Sequence, residues 1–422
     1  MSLLLSQATI GDPRSPHFGR RTDLFIHNGV IAQMGEITPP EGTRVVDASG
    51  MVLFPGFTDP FSHFCDPGLE QKETLESGAA AAAAGGYTRV LLLPNTQPAI
   101  HNKSQVEYIV QKSKGLPAQA LPLGAITNNC EGKELAEMYD MRQSGAVAFT
   151  DGTNPIQNPQ IMLKALQYVK AFDGVIIQVP DEQSLSRHGL MHEGIVSTRL
   201  GLPGKPAIAE ALMLARDLEL LRYTQSRLHV TGLSTAASVE LVRRAKNDGL
   251  NLTCSVTPYH LSFCDEDLVG YDTHLKVNPP LRTRADVEAL KSAVLDGTVD
   301  CIACHHLPHE TDSKVCEFGN AQYGMAGLET CFAAVRTALP QLSPERLANL
   351  FSVQPAVIFG LELPQTDAGS KALFTLVDLE AQWQLIIGQQ RSVSANYGFA
   401  NRPLHVKPMA ICRDEQFIFY QS

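Results

Sequence analysis

Two clusters of residues in this chain have the types and spacing to do chemistry. One is His63-Phe64-Cys65-Asp66; the other is Cys304-His305-His306-Leu307-Pro308-His309. His63 and Cys65 are two apart, so an extended chain would point both to the same side. Asp151 closes an apolar run in Phe149-Thr150-Asp151-Gly152, which would put a carboxylate beside them, and His229 opens His229-Val230-Thr231-Gly232. Imidazole, thiolate and carboxylate together are a legitimate zinc set, and a catalytic zinc takes three protein ligands plus a water acidified to a pKa of about 7. His63, Cys65, Asp151 and His305 are therefore candidates for a metal site. The competing reading is a dry pocket where the same groups only hydrogen-bond. Cys301-Ile302-Ala303-Cys304-His305 also spells a covalent haem attachment pattern. On an apolar strand, the two thiols are more simply read as small core residues.

Eight short apolar runs supply the strands that would hold these groups, at 52–57, 88–93, 120–126, 146–150, 174–179, 227–231, 251–256 and 299–304. Helical patterns lie between several of them: 73–84 closed by Gly85-Gly86, 236–247 closed by Gly249, and 284–295 closed by Gly297. The alternation predicts an α/β fold, a (β/α)8 TIM-type barrel whose chemistry gathers at the C-terminal ends of its strands. An open doubly wound sheet is the alternative. Residues from about 20 to 50 alternate apolar and polar around an Asn28-Gly29 turn, and strand-like runs return at 373–379 and 383–387. The expected organisation is a barrel over 53–362, with 1–52 and 363–422 forming one small composite β domain.

Composition narrows the classes of function. The chain is 44% hydrophobic and 18% charged, with a net charge of −10, which suits a large core and argues against disorder. No basic run suggests nucleic acid or an anionic membrane surface as a partner. No stretch approaches the roughly 20 apolar residues of a membrane span, and the start lacks the pattern of a signal peptide. Nine irregularly spaced cysteines read as reduced thiols of a cytoplasmic protein.

The order of several short motifs is more specific than any one of them. Pro55-Gly56-Phe57-Thr58-Asp59, Leu93-Pro94-Asn95-Thr96, Met191-His192-Glu193-Gly194, Leu200-Gly201-Leu202-Pro203-Gly204, Asn278-Pro279-Pro280-Leu281-Arg282 and Gly327-Leu328-Glu329-Thr330 follow one another along the chain. In that order they resemble dihydroorotase of bacterial pyrimidine synthesis. The resemblance implies a cyclic-amide hydrolase fold, usually zinc-dependent, that interconverts dihydroorotate and carbamoyl aspartate. It also implies assembly with aspartate transcarbamoylase, for which some degenerate members act only as scaffolds. We expect a homo-oligomer.

Against the family pattern, the departures fall on the chemistry. Of the first-strand His-x-His only His63 remains, and Phe61 takes the other place. The arginine that grips the substrate carboxylate matches Cys65. The fifth-strand ligand histidine falls at Gln178 or Val179, the second sixth-strand histidine matches Gly232, and the catalytic aspartate matches His305. Asp151 matches the bridging carboxylate, while Asn95, Asn278 and His309 match substrate-side positions. Two residual ligands, His63 and Asp151, would leave a zinc held mostly by water. Cysteine cannot replace a bidentate guanidinium clamp. The expectation is an inactive barrel without a cofactor, zinc entering only if His63, Cys65, Asp151 and His305 form a rearranged site.

Overall fold

The apolar run expected as one strand at 52–57 is two strands in the computed structural model, which describes residues 1–420. Met51–Pro55 joins a sheet built from the chain ends, and Phe57–Ser62 begins the barrel. Gly56 separates them, at a point where a Cβ would lie 2.5 Å from Thr88 Oγ1. An unbroken apolar run carries no periodic signal of that division.

Parallel strands Phe57–Ser62, Tyr87–Leu92 and Gln119–Pro122 form one part of the barrel wall. Val175–Gln178, Arg227–Val230, Leu252–Val256 and Cys301–Ile302 form the other. The stave expected at 146–150 contracts to Phe149, which bridges Gly124 on one side and Ile176 on the other. At the opposite seam Ser62 bridges His306. The ring thus returns to its first strand, and the fold is the (β/α)8 barrel. Its interior is packed with Phe61, Leu91, Leu93, Leu123, Val175, Ile177, Cys301 and Ala303, the filled core such barrels need. Cys301 faces that interior, whereas Cys304 packs in the separate cluster shared with the helices. The two thiols therefore point into different layers.

The helices Ala236–Asn247 and Arg284–Asp296 lie where the sequence pattern places them. The first helix starts later than expected, at Leu75, because Thr74 caps it by accepting the Ser77 N–H at 3.1 Å. Glu73 is thereby left outside the helix, with its side chain fully buried.

Five N-terminal strands and three C-terminal strands share one sheet. Met51–Pro55 links the two ends, parallel to Ser2–Ile10 and antiparallel to Leu373–Trp383. Leu3, Leu5, Leu24, Ile26, Leu53, Phe374 and Leu376 form its core, alternating along their strands as a half-buried sheet requires. The strand expected at 383–387 does not form: beyond Trp383 the chain leaves the sheet, and Leu385 packs on Ala326 and Tyr397. The segment that follows reaches back to the barrel before Leu404–Arg413 re-enters the sheet. Residues 421 and 422 of the expected C-terminal part lie outside the described residues.

No helix among the described residues is long and apolar enough to cross a membrane. All nine cysteines are free thiols, and of these Cys316 alone is exposed.

Candidate functional site

A cavity of about 350 Å³ opens at the C-terminal ends of the barrel strands. Phe61, Leu69, Leu93, Val179 and Leu307 give it apolar walls, and His63, Lys72, Asn95, Asn278, His305, His309 and Tyr323 bring its polar groups. Phe61 and His305 form one side as a stacked pair, with ring centroids 4.3 Å apart and planes 29° from parallel.

His305 is held from behind by hydroxyls. Its Nε2 accepts from Thr231 Oγ1 at 2.7 Å, and that oxygen accepts from Ser255 Oγ, also at 2.7 Å. His229 lies on the same chain, with Nε2 3.0 Å from Ser255 Oγ and Nδ1 2.9 Å from Thr253 Oγ1. Burial pushes both imidazoles down to about 3, so they are neutral near pH 7. Each ring nitrogen of His229 and the Nε2 of His305 is committed to a protein hydroxyl.

His63 is equally engaged. Its Nε2 faces the Asn95 carbonyl oxygen at 3.2 Å, and its Nδ1 lies 3.0 Å from Cys65 Sγ. Burial lowers His63 to about 4 and raises the Cys65 thiol, so a neutral thiol donates to a neutral ring. The chain is not extended at this point, because Cys65 is left-handed at φ 61. The expectation that both side chains point together into the site is corrected: His63 lines the cavity, and Cys65 is buried beside its ring.

Asp151 also departs from expectation. Its Oδ1 accepts the Ile126 and Thr127 N–H groups at 2.9 Å each, and its Oδ2 accepts the Thr127 hydroxyl. Burial nonetheless holds this carboxyl up at about 6. The carboxylate organises the turn at 126–127 and does not line the cavity, because a buried acceptor is drawn to the nearest free amides.

The three substrate-side positions do come together. His309 Nε2 donates to the Tyr323 carbonyl at 2.9 Å, leaving Nδ1 to accept from Lys72 Nζ at 3.4 Å. Burial lowers His309 to about 4. Asn278 Oδ1 accepts from Lys205 Nζ at 2.8 Å, and Asn95 donates to the Asp151 carbonyl at 3.0 Å. His306 is structural: its Nδ1 accepts the Gly327 N–H at 3.1 Å, which turns Nε2 toward Glu73 Oε2 at 3.4 Å.

Of His63, Cys65, Asp151 and His305, the first and last line the cavity and the other two do not. Among the described residues no three His, Cys, Asp or Glu side chains are grouped closely enough to hold a metal ion. The sequence reading missed Lys72, Lys205 and Tyr323. Lys72 sits in the first loop two residues before the helix cap Thr74, and Lys205 follows the Leu200–Gly204 motif, positions that a search for ligands passes over. Lys205 pairs with Asp181 at 3.3 Å, and its ammonium lies 5.3 Å from the Tyr323 ring centroid.

Comparison with known proteins places this geometry in a lineage. The profile described as Dihydro-orotase-like matches residues 50–238. The dihydroorotase of Pelotomaculum thermopropionicum is 40% identical over 415 residues, 97% of this chain and 96% of the relative. The chain belongs to the dihydroorotase family. The dihydroorotase of Geobacter metallireducens is 39% identical over 403 residues, 94% of this chain and 95% of its own. Among solved structures, the L-hydantoinase (dihydropyrimidinase) of Arthrobacter aurescens superposes with a TM-score of 0.86 at 22% identity, covering 100% of this chain and 96% of that one. The D-hydantoinase of Thermus sp. gives 0.81 at 21%, covering 99% and 97%. At such identity the likeness is one of fold.

Within this dihydroorotase-family barrel, Gly232 adopts φ +71, and a Cβ there would lie 2.9 Å from His305 Cε1. Gln178 is turned into the core, accepting the Ile156 N–H and donating to Asp217, each at 3.3 Å. Val179 is part of the cavity wall.

Proposed function

We propose that this dihydroorotase-family protein does not hydrolyse a cyclic amide and serves pyrimidine synthesis as a structural or regulatory partner of aspartate transcarbamoylase. The observation that carries the proposal is the Phe61–His305 stack at 4.3 Å. A hydrolase of this family needs a cation and its hydroxide near the first and eighth strands, and an apolar ring packed on a neutral imidazole offers neither ligand nor general base. The engaged nitrogens of His63 and the turned carboxylate of Asp151 support the same reading. On it, the protein works in the cytoplasm as a homo-oligomer and without a cofactor.

The test is dihydroorotate turnover by the purified chain in both directions, with zinc supplied and an active relative measured alongside. No turnover is expected. The partner is tested separately by light scattering on mixtures with the aspartate transcarbamoylase of the same cell, where a joint assembly is expected. Separate elution of the two, with no change in the transcarbamoylase's own assembly, would remove the scaffold role.

The second reading is a zinc-dependent dihydroorotase or other cyclic-amide hydrolase with a rearranged site. It is favoured by relatives that bear the name dihydroorotase along nearly their whole length and by the 3.0 Å contact of His63 with Cys65. Zinc-dependent turnover abolished by His305→Ala or Asp151→Asn would establish it. Turnover that survived both changes would sink the rearranged site.

A further inference from the structure

The composite sheet ends in two strands whose open edges differ. At Val30–Gly35 the edge is covered: Ile31 donates its N–H to the Ser370 carbonyl at 2.9 Å and accepts the Gly369 N–H at 2.8 Å. Arg44–Asp47, which pairs only with Ser2–Ile10, is short and ends in charged residues. Gln416–Phe419 lies at the other end of the sheet, beside Leu404–Arg413 alone. Tyr420 donates to the Met409 carbonyl at 2.8 Å, and Ile418 stands opposite Ile411. Bonded and unbonded residues alternate along an antiparallel pair, so 416, 418 and 420 turn their N–H and C=O groups inward. Those of Phe417 and Phe419 turn outward, and among the described residues no hydrogen bond reaches them. Gln416-Phe417-Ile418-Phe419-Tyr420 carries neither charge nor proline, the residues that commonly blunt an open edge. The strand is nevertheless fixed in place. Phe417 packs in the sheet core with the Arg44 guanidinium 5.4 Å from its ring centroid, and Gln416 Nε2 donates to the Gly115 carbonyl at 3.1 Å.

We propose that Gln416–Phe419 is an association surface for a second copy of this chain, the two strands pairing antiparallel about a two-fold axis at Ile418. Phe417 of each copy then faces Phe419 of the other, and each such pair exchanges both of its N–H···O bonds. The open groups sit symmetrically on either side of Ile418, so the edge complements itself without a shift of register. Charge permits the approach, although the chain carries −10 overall. The uncharged stretch meets only itself, and Asp414 is offset by Arg413 at 3.5 Å. Antiparallel pairing also sets the Asp414-Glu415 turns of the two copies at opposite ends of the shared edge. They lie about 20 Å apart there, well beyond the roughly 8 Å over which charge is felt at physiological salt. The assignment deepens the homo-oligomer reading, on which it rests, by naming the surface that pairs.

Sedimentation velocity on the full chain tests the surface, with a melting curve to show that each variant is folded. The parent is expected to associate with a Kd of about 10 µM or tighter. Ile418→Lys sets two like charges face to face across the axis and should weaken that association about tenfold or more. Ile418→Glu should do the same, and an equal mixture of the two variants should associate as the parent does, because unlike charges then meet. A gentler variant places the strands directly. Paired as proposed, Ile418 faces its own counterpart with Cβ atoms about 4.5–5.5 Å apart, the near end of which lets a disulfide form. In a Cys316→Ser background, which removes the exposed thiol, Ile418→Cys should cross-link into dimers with oxidised glutathione. Gln33→Cys, on the opposite edge of the sheet, should not. A parent that stays monomeric at about ten times that Kd would remove both this surface and the homo-oligomer. An oligomer that a folded Ile418→Lys chain keeps, that Ile418→Cys does not cross-link, or that the Lys and Glu mixture fails to restore would overturn this surface alone and leave the homo-oligomer standing.

Discussion

Gly232 and His305 occupy one space between them. A Cβ on Gly232 would stand 2.9 Å from His305 Cε1, and the Gly232 backbone is left-handed at φ +71. The dihydroorotase pattern expects histidine at the first position and aspartate at the second. The larger ring at 305 takes the room that any side chain at 232 would need. Two departures that look independent along the chain are therefore one packing arrangement, and the Thr231 hydroxyl bond at 2.7 Å fixes the ring in it.

Gly232→Ala should cost about 1 kcal/mol for the left-handed backbone and a further ~1–2 kcal/mol for crowding His305. In a His305→Ala background the crowding part should vanish while the backbone part stays. Urea unfolding of the four chains in this cycle checks the prediction. Additive costs would mean that the ring moves aside freely and the two positions are not coupled.

Phe61→His restores one residue of the family's first-strand pair but is not expected to capture zinc. It would put a second imidazole near His63, yet the expected third ligand is absent at Gly232, and Asp151 remains tied to the 126–127 turn. The variant also breaks the stack with His305, at a cost of about 1–3 kcal/mol. Elemental analysis after desalting from zinc should find metal well below one ion per chain. Stoichiometric, tightly held zinc would show that the site needed only this one ligand.

The barrel was legible in the sequence because strands buried on both faces and helices closed by glycine leave strong, local signals. The composite sheet showed through its alternation and the Asn28-Gly29 turn for the same reason. What stayed hidden was orientation. Asp151 follows a strand end as a site carboxylate should, but whether it turns to the cavity or to the amides of Ile126 and Thr127 depends on a neighbouring loop. Cys65 looked set to enter the cavity with His63 only so long as the chain was taken as extended; at φ 61 it contacts the His63 ring but does not line the cavity. Lys72 gave no motif at all; its place in the cavity is visible only once the loops after the first and last barrel strands meet around it.

Acid should destabilise the protein through its buried histidines. Burial holds His63 and His309 near about 4, and His229, His260 and His305 near about 3, against an ordinary 6.5. As pH falls below about 6.5 the unfolded chain takes up these protons first, so stability is lost from there down toward about 3. Asp151 and Asp217, raised to about 6 by burial, act oppositely between about 6 and 3.8, because there the folded chain is the first to bind a proton. His192, also lowered by burial, adds to the loss, and Asp59, Asp265 and Glu329, also raised by burial, add to the gain. Between pH 7 and 5 the histidines, whose unfolded value of about 6.5 is met first, dominate, and the urea midpoint should be lower at pH 5 than at pH 7. His305→Asn should flatten this dependence by up to one proton, about 1.4 kcal/mol per pH unit. An unchanged slope would mean that His305 titrates normally and is not shielded by the Phe61 stack.

Glu73 ties the terminal segment to the barrel mouth, and its loss should loosen both. Its carboxylate is fully buried and accepts from the Ser77 and Ser392 hydroxyls and from the Val393 N–H at 3.2 Å. Burial alone would raise this carboxyl, but His306 and these donors bring it below the usual carboxylate range, so it is the ionised form that holds the segment. The same segment sends Ser394 Oγ to the Lys72 carbonyl at 2.6 Å and accepts the His309 N–H on Asn396 Oδ1 at 3.1 Å. Glu73→Ala strands several buried donors and removes the carboxylate that His306 Nε2 faces at 3.4 Å, a loss of about 2–4 kcal/mol. Glu73→Gln keeps the shape and loses the charge, so its cost should be smaller. Hydrogen exchange should quicken in residues 391–397 and in the loops carrying Lys72 and His309, while the distant strands Arg21–His27 and Val30–Gly35 stay protected. Faster exchange spread evenly over the chain would mean that Glu73 supports the whole fold, with no particular hold on the segment 391–397.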